Sequence, residues 1–194
     1  MRLIAIEEHI LPSYVRDAWA AAPPPHEPVS AIADGGETGE RLAEIGEMRL
    51  ALMDEQGVDV QVLSLTTAGL HNLGPAPAVE AAQRVNDQIA AACARHPGRF
   101  QGFAALPTPD PDAAPRELER AVCELGLKGA LLCGRTRERH LDHHALRPTF
   151  GHGGTSGGAL VHPSPDPAAG GARGDSGPAR GARRARCFGI VTDE

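Results

Sequence analysis

The sequence has no run of the ~18 apolar residues that a helix needs to cross a bilayer. Its opening stretch, Met1–Ile10, holds two glutamates where a secretory signal would need a basic and then an apolar segment. Neither a spanning helix nor a signal peptide is expected. Excess positive charge is missing as well: 25 acidic against 19 basic residues leave a net charge of −6 and a pI near 5.8. That balance argues against nucleic acid and anionic membrane as partners. Cysteines are few and scattered. Cys93, Cys123, Cys133 and Cys187 form no CxxC pair, which disfavours a zinc finger and points to a cytoplasmic chain with free thiols.

Hydrophobic residues make up 41% of the chain, enough for a real core. Their spacing over residues 1–150 alternates between two periods. Arg2–Ile6 reads as a short strand, followed by a loop-like stretch, Ala22–Gly39, rich in proline and glycine. Leu42, Ile45, Met48, Leu52 and Met53 recur at steps of mostly three and four and predict a helix over Glu40–Gln56, ended by Gly57. Val58–Leu65 is β-branched and bounded by turn residues, as a buried parallel strand should be. A helix over Ala78–Arg95, a strand over Phe100–Leu106, a helix over Asp112–Leu125 and a strand over Leu127–Cys133 follow. Repeated β-α units predict a parallel sheet with helices packed outside it. A complete eight-fold barrel of such units takes ~250 residues, and this chain has 194. The expected fold is therefore α/β: an incomplete (β/α)8 TIM-type barrel of about the first four to five units.

The composition changes after Phe150. Of the 37 residues 151–187, 26 are Gly, Ala, Pro or Arg, so this stretch has little to bury and is expected to lack regular structure. The predicted organisation is a partial barrel domain over 1–150 and a low-complexity tail over 151–194. Within the tail, Ala159–Pro163 reads as a short fifth strand ending in His162. A flexible tail and a shifted reading frame in GC-rich DNA both produce such a composition, and the second is favoured because recognisable segments recur within the filler.

The strand ends hold the chemistry. Ile6-Glu7-Glu8-His9 closes the first strand, and alternation turns Glu7 and His9 to one side while Glu8 points away. In a β/α barrel the C-terminal strand ends form the active face. A carboxylate and an imidazole converging there suit Zn²⁺ or Mn²⁺, although an exposed Glu-Glu-His before a loop is also ordinary surface. The second strand runs into Thr66–Asn72, small and polar, with Thr66 and His71 as candidate substrate contacts. The third ends at Leu106–Asp110, and the fourth opens into Gly134–Arg137, where Arg135 is the candidate cation. The crowded RHLDHH segment, with His140, His143 and His144, reads as an exposed polar turn, and His26 reads as surface. Tyr14 and Trp19 either line a pocket mouth or cover the barrel end.

The order of these segments resembles a known family, the metal-dependent non-oxidative decarboxylases of the amidohydrolase superfamily. The matching pieces are IAIEEH, MRLALMDEQGVDVQVLSLTTAG, VNDQIAAACARHPGRFQGFAALPTPDPDAAPRELERAV and LGLKGALLCGRTRERHLDHHALRPTF. They cover residues 1–150 nearly continuously. The resemblance implies that Glu7, His9 and His162 are metal ligands. It also implies a divalent cofactor, zinc or manganese, a small-molecule carboxylic acid substrate, and room for a family-type homo-oligomer. Cys133 departs from the pattern, standing where relatives often carry Asn. No position matches the family's later histidine and aspartate. The expected activity is decarboxylation of an aromatic or related unsaturated acid, with little or no turnover by these 194 residues alone. Two rivals remain: a metal-dependent hydrolase of a lactone or amide, and a non-catalytic gene remnant whose open strand edge would aggregate or self-pair.

Overall fold

The computed structural model describes residues 2–23, 36–133, 135–136, 139–140, 143–147 and 149, together with the backbone of 159–161. The β-α rhythm becomes a parallel sheet with its helices gathered on one face. Strand β1 (Ile4–Ile10) is followed by helix α1 (Ser13–Ala21), α2 (Gly36–Ala43) and α3 (Glu47–Gln56). Then come β2 (Val60–Leu65), α4 (Pro75–Arg95), β3 (Phe100–Gly102), β4 (Ala104–Ala105), α5 (Ala113–Cys123) and β5 (Gly129–Leu131). A two-stranded antiparallel ribbon, β6 (Arg135–Thr136) with β7 (Arg139–His140), precedes a short 3-10 turn at His144–Leu146. Strand β8 (Ala159–Val161) pairs in parallel with β5, where a fifth parallel strand was expected.

Three sequence expectations need correction. Residues 36–39 are helical, not loop, because α2 begins at Gly36. The single helix over Glu40–Gln56 is two helices, broken at Glu44–Gly46. The Glu44 carboxylate accepts from the Arg49 backbone N–H at 2.8 Å and so caps α3, a local bond that competes with helix continuation. Helix α1 was not foreseen at all, although Val15 and Trp19, four residues apart, are both buried on one stripe.

Within each sheet the neighbours run β1-β2-β3 and β4-β5-β8. The third strand is one strand interrupted at Phe103. Across the break the Phe103 N–H still donates to the Leu63 carbonyl at 2.8 Å, and the Lys128 N–H to the Gly102 carbonyl at 2.9 Å. The strands therefore follow one another in chain order, with helices between β1 and β2, between β2 and β3 and between β4 and β5, as parallel β-α units require.

The main core lies between sheet and helices. Ile10, Leu63 and Leu65 meet Val15, Trp19, Met53, Val85, Ile89 and Leu118, all between 0 and 3% exposed. Gly102 allows α4 to approach: a Cβ there would lie 2.2 Å from Ile89 Cγ2, closer than atoms can pack. Among the described residues, the opposite face of the sheet carries a small cluster, Val62, Phe103 and Leu131, with Ile4 beside it. That second face is called the inner face below. Among the described residues no helix is long and apolar enough to cross a membrane.

Candidate functional site

The end of β1 departs from plain alternation in one place. Ile4 pairs with Val60 and Ala5 with Gln61, but Glu8 pairs with Leu63, His9 with Ser64 and Ile10 with Leu65. Two residues, Ile6 and Glu7, thus stand opposite the single Val62, which is a β-bulge. Paired residues of neighbouring strands share a face. Leu63 and Leu65 belong to the helix-covered core, so Glu8 and Ile10 point that way, and Ser64 and His9 point inward. Without the extra residue, counting by twos from inward Ile4 would have sent His9 to the helix side. Past the bulge Glu8 and His9 lie on opposite faces, as expected, and Glu7 falls within the bulge itself.

His9 is half-buried, and its Nδ1 lies 3.1 Å from Ser64 Oγ. In the tautomer that donates from Nδ1 to this hydroxyl, Nε2 keeps its lone pair and stays available as a ligand. Burial lowers the His9 pKa below its ordinary value; the Glu7 and Glu8 carboxylates oppose that shift, and Arg49 adds to it. An imidazole held neutral is the form that binds a cation. Glu7 is exposed.

On the helix side, Arg49 of α3 fills the space behind this strand end with a side chain only 12% exposed. Its Nη2 donates to the His9 carbonyl at 3.0 Å and to the Arg41 carbonyl at 3.2 Å. Nε donates to the Glu44 carbonyl at 3.0 Å, and Nη1 to Gln61 Oε1 at 3.3 Å. Glu8 lies within ion-pair reach at 3.9 Å.

After β2 the chain turns back over the strand ends. Thr66, half-buried, donates its N–H to the Ile10 carbonyl at 3.1 Å and so ties the ends of β1 and β2 together. Trp19, 2% exposed, donates its indole N–H to the Gly69 carbonyl at 2.8 Å. This settles Trp19 as an anchor for the loop, not a pocket wall. Gly69 has φ +59, and a Cβ on it would come within 2.9 Å of Cys133 Sγ, so the loop can lie on the end of β5 only with glycine here. Tyr14 sits elsewhere, with its hydroxyl donating to Gln88 at 3.0 Å and its ring 3.8 Å below the Arg84 guanidinium. Burial pushes the Tyr14 hydroxyl up to about 12.

The turned-back loop makes a small cleft at the C-terminal strand ends, lined in part by Leu65, His71, Leu106, Thr108 and Cys133. Its free space is about 20 Å³, room for one water molecule. His71 is 7% exposed and Thr108 8%. Thr108 is held by the Thr136 hydroxyl at 2.7 Å, which fastens β6 to the end of β4. Below it, fully buried Asn86 serves as a substitute strand partner for Ala105: its Oδ1 accepts from the Ala105 N–H at 2.8 Å, and its Nδ2 donates to the Ala105 carbonyl at 3.0 Å. The same Nδ2 donates to buried Glu117 at 2.7 Å, and Arg120 closes the chain on Glu117 at 2.9 Å.

The structure thus brings Thr66 and His71 to the strand ends and turns His9 inward on β1. It leaves Arg135 exposed on β6, and His162 lies outside the described residues, as does His26. Of the RHLDHH segment, His140 and His144 are exposed, and a His143 ring nitrogen accepts from the Ala145 N–H at 3.2 Å. Among the described residues no group of three or more His, Cys, Asp or Glu side chains could hold a metal ion. Sequence reasoning missed Ser64, Arg49 and Asn86. A serine near the end of a mostly apolar strand and an asparagine within a buried helical stripe were the available signals.

Comparison with known proteins agrees with this layout. The amidohydrolase family model matches residues 8–153. Gamma-resorcylate decarboxylase of Rhodococcus jostii is 39% identical over 141 residues, which span 72% of this chain and 40% of that protein. The crystal structure of 5-carboxyvanillate decarboxylase from Sphingomonas paucimobilis superposes with TM-score 0.74 at 32% identity, over 82% of this chain and 50% of that one. The Novosphingobium aromaticivorans 5-carboxyvanillate decarboxylase, solved with bound manganese and 3-methoxy-4-hydroxy-5-nitrobenzoic acid, gives TM-score 0.77 at 29% identity, over 82% and 50%. The chain spans half or less of the length of these relatives. With the family model matching most of its length and a parallel β-α order, the chain belongs to the amidohydrolase family.

Proposed function

We propose that these residues form the N-terminal part of a metal-dependent carboxy-lyase acting on an aromatic or related unsaturated carboxylic acid. The observation that carries the reading is the end of β1, where the bulge turns His9 inward with its Nδ1 on Ser64. One carboxylate and one oriented imidazole fit Zn²⁺ or Mn²⁺. Glu7 and His9 Nε2 would hold the ion, with His162 as a third donor. When bound, the ion supplies Lewis-acid polarisation of a substrate carboxylate or phenolic oxygen. Thr66 and His71 border the place where the acid would lie, and Arg135 offers a cationic partner for its carboxylate.

A catalytic site of this kind usually needs three protein ligands and an open position, and the described residues supply two. The cleft among the described residues has room for one water, not for a benzoate ring. The same reading makes 1–150 a partial barrel domain and 151–194 a low-complexity region, with β8 joined to the barrel through β5. Incubated with Zn²⁺ or Mn²⁺ and dihydroxybenzoates, the 194-residue chain should release no CO₂ above background. A version extended through the remaining barrel strands should release it. Robust turnover by the short chain, abolished by His9→Ala, would overturn the incomplete-site reading. Lactone hydrolysis by the extended chain without CO₂ release would assign it to the hydrolases instead.

A further inference from the structure

Arg49, its side chain 12% exposed, lies behind the end of β1 that carries His9, yet hydrogen-bonds to no candidate ligand side chain. Its guanidinium has four hydrogen-bond acceptors on three nitrogens: the carbonyls of His9, Arg41 and Glu44, and the side chain of Gln61. Three of these belong to different elements, since His9 closes β1, Gln61 lies on β2 and Arg41 on α2. Gln61 is also the last β2 residue in register with β1 before the bulge, and Glu8 and His9 are the first two after it. Arg49 therefore grips the strand pair on both sides of the irregularity.

From this geometry we infer that Arg49 is the positioning residue for the candidate metal-binding end of β1. It holds the His9 carbonyl and draws Glu8 to the helix side, and so keeps the bulge that turns the His9 ring inward to Ser64. The inference rests on the metal-site reading for its purpose, though not for its geometry. The fork matters as much as the charge. A lysine ammonium at the same place is a single point on a flexible stem and cannot span acceptors on separate elements. Burial lowers the Arg49 pKa from its ordinary value and the Glu8 and Glu44 carboxylates oppose that shift.

The test uses the 194-residue chain with Arg49→Met, which keeps an apolar stem, and Arg49→Lys, which keeps the charge. Met53→Ala, a cavity in the same helix at a residue 1% exposed, serves as a control of matched instability. Three quantities are read: thermal midpoint, the ¹⁵N signals of the His9 ring, and Mn²⁺ affinity by calorimetry. Arg49→Met should release the His9 ring from its single tautomer, raise amide exchange at Glu8–Ile10 at least tenfold, and weaken Mn²⁺ binding about tenfold. Arg49→Lys should recover these only in part, and would carry the test should Arg49→Met fail to fold. Met53→Ala should lower the midpoint while leaving His9 and Mn²⁺ affinity unchanged. Unaltered His9 signals in both Arg49 variants, or an equal response in the control, would overturn the inference. Should wild type bind no Mn²⁺, the metal reading fails, and the His9 ring signals still decide the role of Arg49.

Discussion

The two faces of the sheet are built to different standards. On the helix side, Leu63, Leu65, Ile10 and the helical residues Val85, Ile89 and Leu118 make one dry cluster in which nearly every side chain is below 4% exposed. The polar groups admitted there are fully committed, as Asn86 is to Ala105 and Glu117. On the inner face, among the described residues, Val62, Phe103 and Leu131 form a small buried cluster with Ile4 against it, while Ile6 and Glu7 of β1 are exposed. Stability is concentrated where the helices pack. The inner strand ends contribute little to it, which leaves His9, Ser64 and the loop around His71 open to selection for chemistry.

The largest effect should come from breaking the helix-side cluster. Ile89→Ala empties a fully buried position against Gly102 and should cost about 2–5 kcal/mol, whereas Val62→Ala on the inner face, in a much smaller cluster, should cost less. Chemical denaturation of both variants checks the order, and equal losses would erase the distinction between the faces.

Asn86→Ala comes next. It removes both bonds to Ala105, at about 1–3 kcal/mol for each group left unsatisfied, and takes one donor from Glu117, which Arg120 still holds. It should also loosen the segment from Leu106 to Thr108. Amide exchange that rises there but not in β1 would confirm that the loss is local to the end of β4.

Trp19→Phe should have a smaller effect. It replaces the indole by a smaller ring and removes the donor to the Gly69 carbonyl, for about 0.5–1.5 kcal/mol from the hydrogen bond, to which the vacated space adds. Faster exchange confined to Thr66–Asn72 and greater access of thiol reagents to Cys133 are the expected signs.

Much of the helix-side architecture was legible in the sequence. The apolar stripe Val85, Ile89 and its neighbours marks α4, the β-branched run marks β2, and Gly57 ends α3 in the left-handed conformation. These follow from local periodicity and turn chemistry. What was not legible is in part a local side-chain bond and in larger part depends on partners distant in sequence. The break at Glu44–Gly46 comes with the Glu44–Arg49 bond, and the interruption at Phe103 belongs to a junction between two sheets. At the site, the glutamate and histidine of β1 were visible as residue types on one side of a strand. The bulge that directs them is a register shift against β2, and the Ser64 and Arg49 contacts span 55 and 40 residues of chain. No reading of spacing within β1 could supply them.

The central claim is that the inner end of β1 is a cation site made by Glu7 and His9. Crystals of the chain soaked in Zn²⁺ and measured at the zinc absorption edge test it most directly. The account predicts an anomalous peak ~2.0–2.2 Å from both a Glu7 oxygen and His9 Nε2, lost in His9→Ala. A peak only at the His140–His144 turn, or none on the inner face at saturating zinc, would contradict it.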